Sequence, residues 1–311
     1  MKYNNLLKIS SCNFEAPINI DDYLLRFLSP TSPNTNYWDS PSEINLKGLG
    51  QSEISRIVNQ STEINSIMNK TLSNNKREKF YFLDVGTGNG MVPKFLNVIN
   101  QKIYSTAIDP FLHGGHKTSW QKSNFEDDIK ACIKYFKTKN FNYKSELNKD
   151  FMNRYIEKKS YLEEHIKEKS NNYDCVYCKA IEHIPNWIDF TKQICSVVES
   201  EGILIFKHRS FFSYLGAHRY ASTGIPWGHC LLNEEEYIDY AKTFHNNRHK
   251  EMCDFFFEGL SYPRMTLSEL IQICIKDKFT LESLFIEKPR YHRIQNKVIN
   301  ENSELVKKVL Q

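Results

Sequence analysis

The stretch Phe80-Tyr81-Phe82-Leu83-Asp84-Val85-Gly86-Thr87-Gly88-Asn89-Gly90 constrains this chain more than any other. An apolar, aromatic run meets an acid and then three glycines at alternate positions, the pattern of a buried strand breaking into a tight turn. Lacking Cβ atoms, the glycines let the backbone take positive φ and let a ligand approach main-chain N–H groups. Asp84 adds a fixed negative charge where the strand ends, so the expected occupant is a small ligand with a positive group. A dinucleotide fingerprint, G-x-G-x-x-G, does not fit: the third glycine comes one residue early and Met91 holds the place the fingerprint needs. Asp84 would also repel a pyrophosphate, and no lysine follows as in a Walker A loop.

The same stretch closely resembles the first motif of class I S-adenosylmethionine (SAM) dependent methyltransferases, apolar-apolar-Asp-apolar-Gly-x-Gly-x-Gly, and matches it at every position. A chance glycine-rich strand turn is the alternative. The resemblance implies a Rossmann-like α/β fold, a doubly wound and mostly parallel sheet. It also implies SAM as cofactor and S-adenosylhomocysteine as product, and it is silent on substrate. On this resemblance Asp84, Gly86, Thr87, Gly88, Gly90, Asp109, Pro110 and Lys179 hold the cofactor. Asp109 ends the expected second strand, Tyr104 to Asp109, where the family uses an acid to hold both ribose hydroxyls, since one carboxylate accepts two hydrogen bonds from a cis diol. The other reading of Asp109 is a cap or turn acid before Pro110.

Three divisions are expected: an N-terminal helical appendage over residues 1–75, a SAM-binding domain over 76–290 with substrate-side insertions, and a polar tail over 291–311. Within the appendage, Asn19 to Leu28 reads as a short helix. Gln51 to Lys70 carries Ile54, Ile57, Val58, Ile64, Ile67 and Met68 at helical spacing. That helix either packs on the edge of the core or closes over the cofactor as N-terminal helices of the family do, with Tyr37 and Trp38 as lid aromatics. After the turn, Met91 to Asn100 reads as the helix of a right-handed crossover. Residues 111–172 offer only a weak third strand near Lys158 to Leu162. Tyr173 to Cys178 reads as the fourth strand, Pro185 as the first turn of a helix reaching about Glu199, and Ile203 to Phe206 as a fifth strand entered by a turn at Glu201-Gly202. Leu267 to Asp277 reads as a helix and Thr280 to Glu287 as an edge strand.

Composition narrows the partners. The 311 residues are 40% hydrophobic and 13% aromatic, ample for a packed core. A net charge of +4 is too small to argue for a nucleic-acid footprint. The 8 cysteines are scattered rather than clustered, which reads as reduced and cytoplasmic. Cys175 and Cys178 lie inside an apolar run, and His113 and His116 have no carboxylate at ligand spacing, so no metal is expected. No apolar run approaches the roughly 20 residues of a bilayer span, and the first residues lack the apolar block of a signal peptide.

The stretch from Lys207 to Tyr220, followed by Gly224 to His229, packs histidine, arginine and aromatics into a region too glycine-broken for one helix. Its alternative reading is a solvent-exposed loop with packed aromatics. It also resembles, more loosely, a histidine-rich type with a Pro-Trp-x-His element seen in bacterial methyltransferases associated with sugars and surface polysaccharides. Transfer of a methyl to a hydroxyl requires removal of a proton, which favours a histidine because its ordinary pKa is close to neutral. His183, in the triplet Glu182-His183-Ile184 that many small-molecule methyltransferases carry after this strand, and His218 and His229 are the candidate bases. Arg209, Arg219, Tyr220 and Trp227 are the candidate acceptor contacts. The acceptor expected is a small molecule with a hydroxyl, sugar or sugar-linked. An RNA or protein methyltransferase and a non-catalytic SAM-binding subunit are the rival readings.

Overall fold

The computed structural model describes residues 7–9, 14–16, 49–72, 77–112, 125–139, 149–168, 172–213, 216, 218, 221, 227–244 and 249–285. The chain divides into two compact units. The first comprises Pro41–Ile181 and Ile188–His208; the second comprises Glu182–Trp187 with Met1–Ser40 and Arg209–Gln311. The expected helix at 19–28, the aromatics Tyr37 and Trp38, His113, His116 and the tail at 291–311 lie outside the described residues.

A five-stranded sheet organises the first unit. Two short strands, β1 (Leu7–Ile9) and β2 (Phe14–Ala16), pair antiparallel in the other unit. The sheet itself is built from β3 (Phe80–Val85), β4 (Ile103–Ile108), β5 (Tyr155–Lys158), β6 (Tyr173–Cys178) and β7 (Val198–Phe206), in the order β5-β4-β3-β6-β7. Every neighbouring pair is parallel. Each return to a parallel strand needs a crossover, and the order reverses between β3 and β6, so the sheet is doubly wound as the glycine motif implied. Both central strands are buried almost throughout, which explains their unbroken apolar sequence.

Strand register decides which side chains share a face. Phe82 and Asp84 alternate with Leu83 and Val85, and Asp84 stands level with Ala107 on β4 and Tyr177 on β6. Phe82, Cys175 and Tyr177 join one apolar core with α1 (Gln51–Leu72), α2 (Met91–Ile99) and α3 (Phe125–Thr138). The helix expected at 51–70 is thus a full member of this core: Ile57, Val58, Ile64, Met68 and Leu72 are buried, and Ser61 Oγ donates to the Val92 carbonyl at 3.0 Å. Cys175 and Cys178 are three apart on one strand, so they point to opposite faces and cannot share a metal. Each is fully buried and packs.

Several boundaries differ from expectation. The third strand is Tyr155–Lys158, not 158–162, because Tyr161 N is capped by Glu164 at 3.1 Å and the chain enters α4 (Leu162–Glu168) there. The helix after Pro185 is α5 (Trp187–Ser196), with Pro185 in the preceding loop. The turn expected at Glu201-Gly202 is an irregularity inside β7 rather than its start: pairing shifts between Tyr173 and Cys175, and Glu201 takes φ 63. A Cβ on Gly202 would lie 2.7 Å from the Glu199 carbonyl oxygen, so only glycine passes. Residues 280–285 form no strand, and among the described residues the sheet ends on β7. Their apolar positions, Leu281, Leu284 and Phe285, break the alternation a one-faced strand requires.

The second unit contains α6 (Gly228–Leu231), α7 (Glu234–Phe244), α8 (His249–Phe257) and α9 (Leu267–Lys276). Thr266 and Glu269 form a reciprocal capping box at the start of α9, which accounts for its sharp beginning where a helix was expected. Tyr237 stacks on Phe256 at 4.0 Å, and the Arg264 guanidinium lies 4.6 Å above Phe211 and 4.9 Å above Phe256. Trp187 Nε1 donates to the Pro263 carbonyl at 2.8 Å. Among the described residues no helix is long and apolar enough to cross a membrane.

Ile57→Ala tests whether α1 is core. Removing that buried side chain should cost about 2 to 5 kcal/mol of unfolding free energy in urea titration, whereas a helix merely resting on the surface would lose a few tenths.

Candidate functional site

The three glycines of the turn take φ 74, 66 and 67, a region closed to most side chains. Gly86 and Thr87 both donate their N–H groups to the Ile108 carbonyl, at 2.9 and 3.3 Å. Gly88 N donates to Asp109 Oδ2 at 2.9 Å, while Asp109 Oδ1 accepts from Phe111 N at 2.7 Å. These N–H groups therefore serve to lash β3 to the end of β4 rather than to meet a ligand. The turn is packed closely by its neighbours: a Cβ on Gly86 would come within 2.6 Å of the Ala180 Cβ, just beyond β6, and one on Gly90 would strike the Tyr155 hydroxyl. The Asn89 amide nitrogen is buried in this turn without a hydrogen-bond partner.

Asp84 is buried at the end of β3, with Oδ2 accepting from Thr87 Oγ1 at 2.6 Å. Burial, and then the charge of Asp109, push its pKa up to about 7, against the Thr87 hydrogen bond and the positive charges of Arg56 and Lys179. A carboxyl so poised takes up a cation readily, because a partner charge removes the penalty of ionising it in the interior. Pro110 and Lys179 follow the ends of β4 and β6 and are partly exposed beside this turn. All of the cofactor residues expected from the sequence thus collect at the carboxyl ends of β3, β4 and β6, where the strand order reverses.

Sequence reading missed a second set here. Arg56, Gln60 and Glu63 form a polar stripe along α1, at the helical spacing that could have revealed it beside the apolar stripe. Arg56 binds Glu53 through Nε and Nη2 and donates from Nη1 to Gln60 Oε1 at 3.0 Å. Burial works against its charge, but the hydrogen bond and charge of Glu53 hold its pKa above the ordinary value, with Tyr177 and Asp84 contributing. Glu63 pairs with Lys207 at 3.3 Å. Tyr177 is 3% exposed and its hydroxyl has no hydrogen-bond partner. Burial and the nearby Asp84 raise its pKa, so it remains a neutral donor. Nothing local marks Tyr177; only strand register sets it beside Asp84.

The expected acceptor residues fall differently. His183 and His218 come together in the second unit, ring centroids 4.9 Å apart, and each also meets Phe255, at 5.6 and 4.9 Å. His229 does not join them. It is buried, with Nε2 donating to the Phe211 carbonyl at 2.6 Å, and burial followed by the Arg264 charge brings its pKa down to about 4 despite that bond. A ring so held packs the core and is a poor proton acceptor. Trp227 is also buried, 5% exposed, with its indole N–H on the Phe212 carbonyl at 3.2 Å, so it presents no open face for stacking. Arg209 is exposed, and Arg219 and Tyr220 lie outside the described residues. His208, just past β7 in the first unit, has Nε2 buried without a partner and a pKa lowered by burial.

Residues 58–253 match the family described as a methyltransferase domain. No curated protein matches the sequence. Among solved structures the chain is similar to an O-methyltransferase family protein from Burkholderia thailandensis, at 8% identity and TM-score 0.41, over 75% of this chain and 55% of that one. The CurJ carbon methyltransferase is similar at 9% identity and TM-score 0.38, over 74% of this chain and 50% of that one. Phosphoethanolamine N-methyltransferase 2 from Haemonchus contortus, in complex with S-adenosyl-L-methionine, is similar at 13% identity and TM-score 0.38, over 94% and 53%. The chain thus spans about half the length of these three.

Two outcomes follow from the site. Because Asp84 ionises near pH 7 when folded and near 3.8 when unfolded, the unfolded chain holds fewer protons between those values. The ligand-free protein should therefore lose stability, by a few kcal/mol at most, as pH rises from about 4 to 7. Asp84→Asn should flatten that decline and raise the melting temperature near neutrality. Asp109→Asn keeps the shape but replaces one of the two carboxylate oxygens that accept from Gly88 and Phe111 by a donor. It should speed backbone hydrogen exchange at Gly88 while leaving exchange in the β6 ladder unchanged.

Proposed function

The chain belongs to the methyltransferase domain family, and from that premise we propose that it transfers a methyl group from SAM to a hydroxyl of a small, sugar-like acceptor. One observation supports the cofactor most: a left-handed glycine turn with a buried carboxyl, Asp84, beside a second carboxylate, Asp109, at the reversal point of a parallel sheet. The donor set fits the group. Asp84 suits an ammonium, and Asp109 has lone pairs left for two sugar hydroxyls. When bound, SAM supplies an electrophilic methyl carried on a sulfonium.

The protein then has two tasks: to position the acceptor oxygen in line and to take its proton. The histidine pair, His183 and His218, is assigned the second task, with one ring accepting the proton and the other positioned edge-on to it. Arg209, Arg219 and Tyr220 are assigned to a polyhydroxylated or anionic acceptor, as the looser sequence resemblance suggests. His229 and Trp227 support this region through packing.

Calorimetry tests the cofactor first: SAM and S-adenosylhomocysteine should bind at micromolar strength or better and NAD not at all. Affinity for S-adenosylhomocysteine should rise between about pH 6 and 7.5 as Asp84 ionises, because its ammonium pairs only with the carboxylate. Turnover on a panel of glycosides should survive chelators. His183→Ala or His218→Ala should lower it by about 10² to 10⁴ with S-adenosylhomocysteine binding intact. Binding without transfer to any acceptor would favour a non-catalytic subunit, and transfer to RNA or protein alone would overturn the small-molecule assignment.

A further inference from the structure

The cofactor reading places no group against His208, just past β7, whose Nε2 is enclosed without a hydrogen-bond partner. We propose that His208 is an acceptor-binding residue, its imidazole holding a hydroxyl of the methyl acceptor at the carboxyl ends of β6 and β7. This deepens the small-acceptor assignment and rests on it, and it involves no contact with the cofactor.

Register sets where the ring stands. Cys178 on β6 is level with Phe206 on β7, and Lys207 N continues the ladder by donating to the Cys178 carbonyl at 3.0 Å. Two residues beyond that pair, His208 comes level with Ala180, which in turn packs on Gly86 so closely that a Cβ there would lie 2.6 Å from the Ala180 Cβ. Gly86, Ala180 and His208 therefore form one row across the ends of three adjacent strands, with His208 about 10 Å from the glycine turn at ordinary strand spacing. Ile203 and Ile205 pack against the core that α1 joins, and Lys207 reaches Glu63 on α1 at 3.3 Å. Alternation then turns His208, with Leu204 and Phe206, to the opposite face.

On the cofactor reading Asp109 holds the ribose at the end of β4 and Asp84 the ammonium at the end of β3. The nucleoside thus takes the β4 side of the reversal point, and the acceptor approaches from the β7 side. The other described histidine of the sheet unit, His165, is bonded through Nε2 to the Tyr173 hydroxyl at 2.7 Å, and Tyr173 opens β6 at the amino end of the sheet. His208 is the described histidine of this unit that stands at the carboxyl end.

Charge selects the ligand class. Burial lowers the pKa of His208, so the ring stays uncharged at neutral pH and has no charge to offer a phosphate or a carboxylate. A neutral imidazole presents one donor and one acceptor nitrogen, whichever tautomer it adopts, and a hydroxyl answers either. An enclosed nitrogen left unanswered is costly, and a bound hydroxyl removes that cost. The same low basicity separates this role from that of a general base: His208 holds a hydroxyl and takes no proton.

Methyl glycosides of glucose, galactose and mannose, together with analogues in which single hydroxyls are replaced by hydrogen, are the probes, with labelled SAM as donor. His208→Phe keeps a ring of similar shape without nitrogens. It should raise the acceptor KM by about 5- to 50-fold while S-adenosylhomocysteine affinity in calorimetry stays within about twofold. The melting temperature of the ligand-free variant should rise, since an enclosed, unpartnered nitrogen is gone. His208→Gln, whose amide reaches the place of Nε2, should recover most of the KM. One deoxy analogue should lose as much with the wild type as its parent glycoside loses with His208→Phe, and that variant should no longer distinguish the two sugars. A ring that is merely structural would shift stability without this match. Unchanged KM, a loss confined to kcat, or continued discrimination by His208→Phe at every position would overturn this role for His208. Weakened S-adenosylhomocysteine binding would set His208 against the cofactor and overturn it as well. Wild-type protein that binds S-adenosylhomocysteine but methylates none of the glycosides would overturn the sugar-like acceptor itself, and the role of His208 with it.

Discussion

The Ile108 carbonyl accepts two N–H groups from the glycine turn while the next residue, Asp109, takes a third, and the candidate site depends on this lashing of β3 to β4. Backbone donors that would otherwise be orphaned at a strand end are satisfied by the neighbouring strand end, so the turn is rigid before any ligand arrives. Glycine is required for the φ values and for the approach of Ala180, just past β6, to Gly86 and of Tyr155, the first residue of β5, to Gly90. The rigidity of the turn allows an interior carboxyl, Asp84, to be held where water cannot fully solvate it.

Interior charge is the second constraint. Asp84 and Arg56 interact at the carboxyl end of the sheet, with Glu53 paired to Arg56 and the positive charge of Lys179 acting on Asp84. Burying such a group ordinarily costs several kcal/mol, which a purely structural core avoids by using apolar residues. A carboxyl near neutrality, a guanidinium paired to Glu53 and the unpartnered Tyr177 hydroxyl nevertheless share this part of the interior. Lys94, buried in α2 and paired with Glu157 at 3.0 Å, shows the contrasting case, a charge fully answered inside the protein.

Histidine and aromatic density in the second unit has two different physical meanings. His229, Trp227, Phe211 and Arg264 form a packed cluster in which ring N–H groups donate to carbonyls and a cation sits over ring faces. His183 and His218 remain partly exposed, edge-on to one another. Sequence proximity placed His218 and His229 together as one kind of residue, but burial separates them, because an imidazole enclosed in the core stays neutral and keeps its donor on the nearest carbonyl.

Local chemistry was enough to read β3, its glycine turn, the crossover helix α2, β6 and α9, since each rests on nearby signals: an unbroken apolar run, positive-φ glycines, or a Thr-x-x-Glu cap. The Asp84 and Asp109 positions were legible for the same reason. The short β5 was not placed, because four residues between long polar stretches carry too little periodicity, and the strand expected at 280–287 had apolar content without alternation. Tertiary structure alone decided that Tyr177 faces Asp84, that α1 brings Arg56 to the same patch, and that His229 and Trp227 turn inward. Those outcomes depend on register between strands far apart in sequence and on which groups escape water, and neither is encoded within any one segment of the chain.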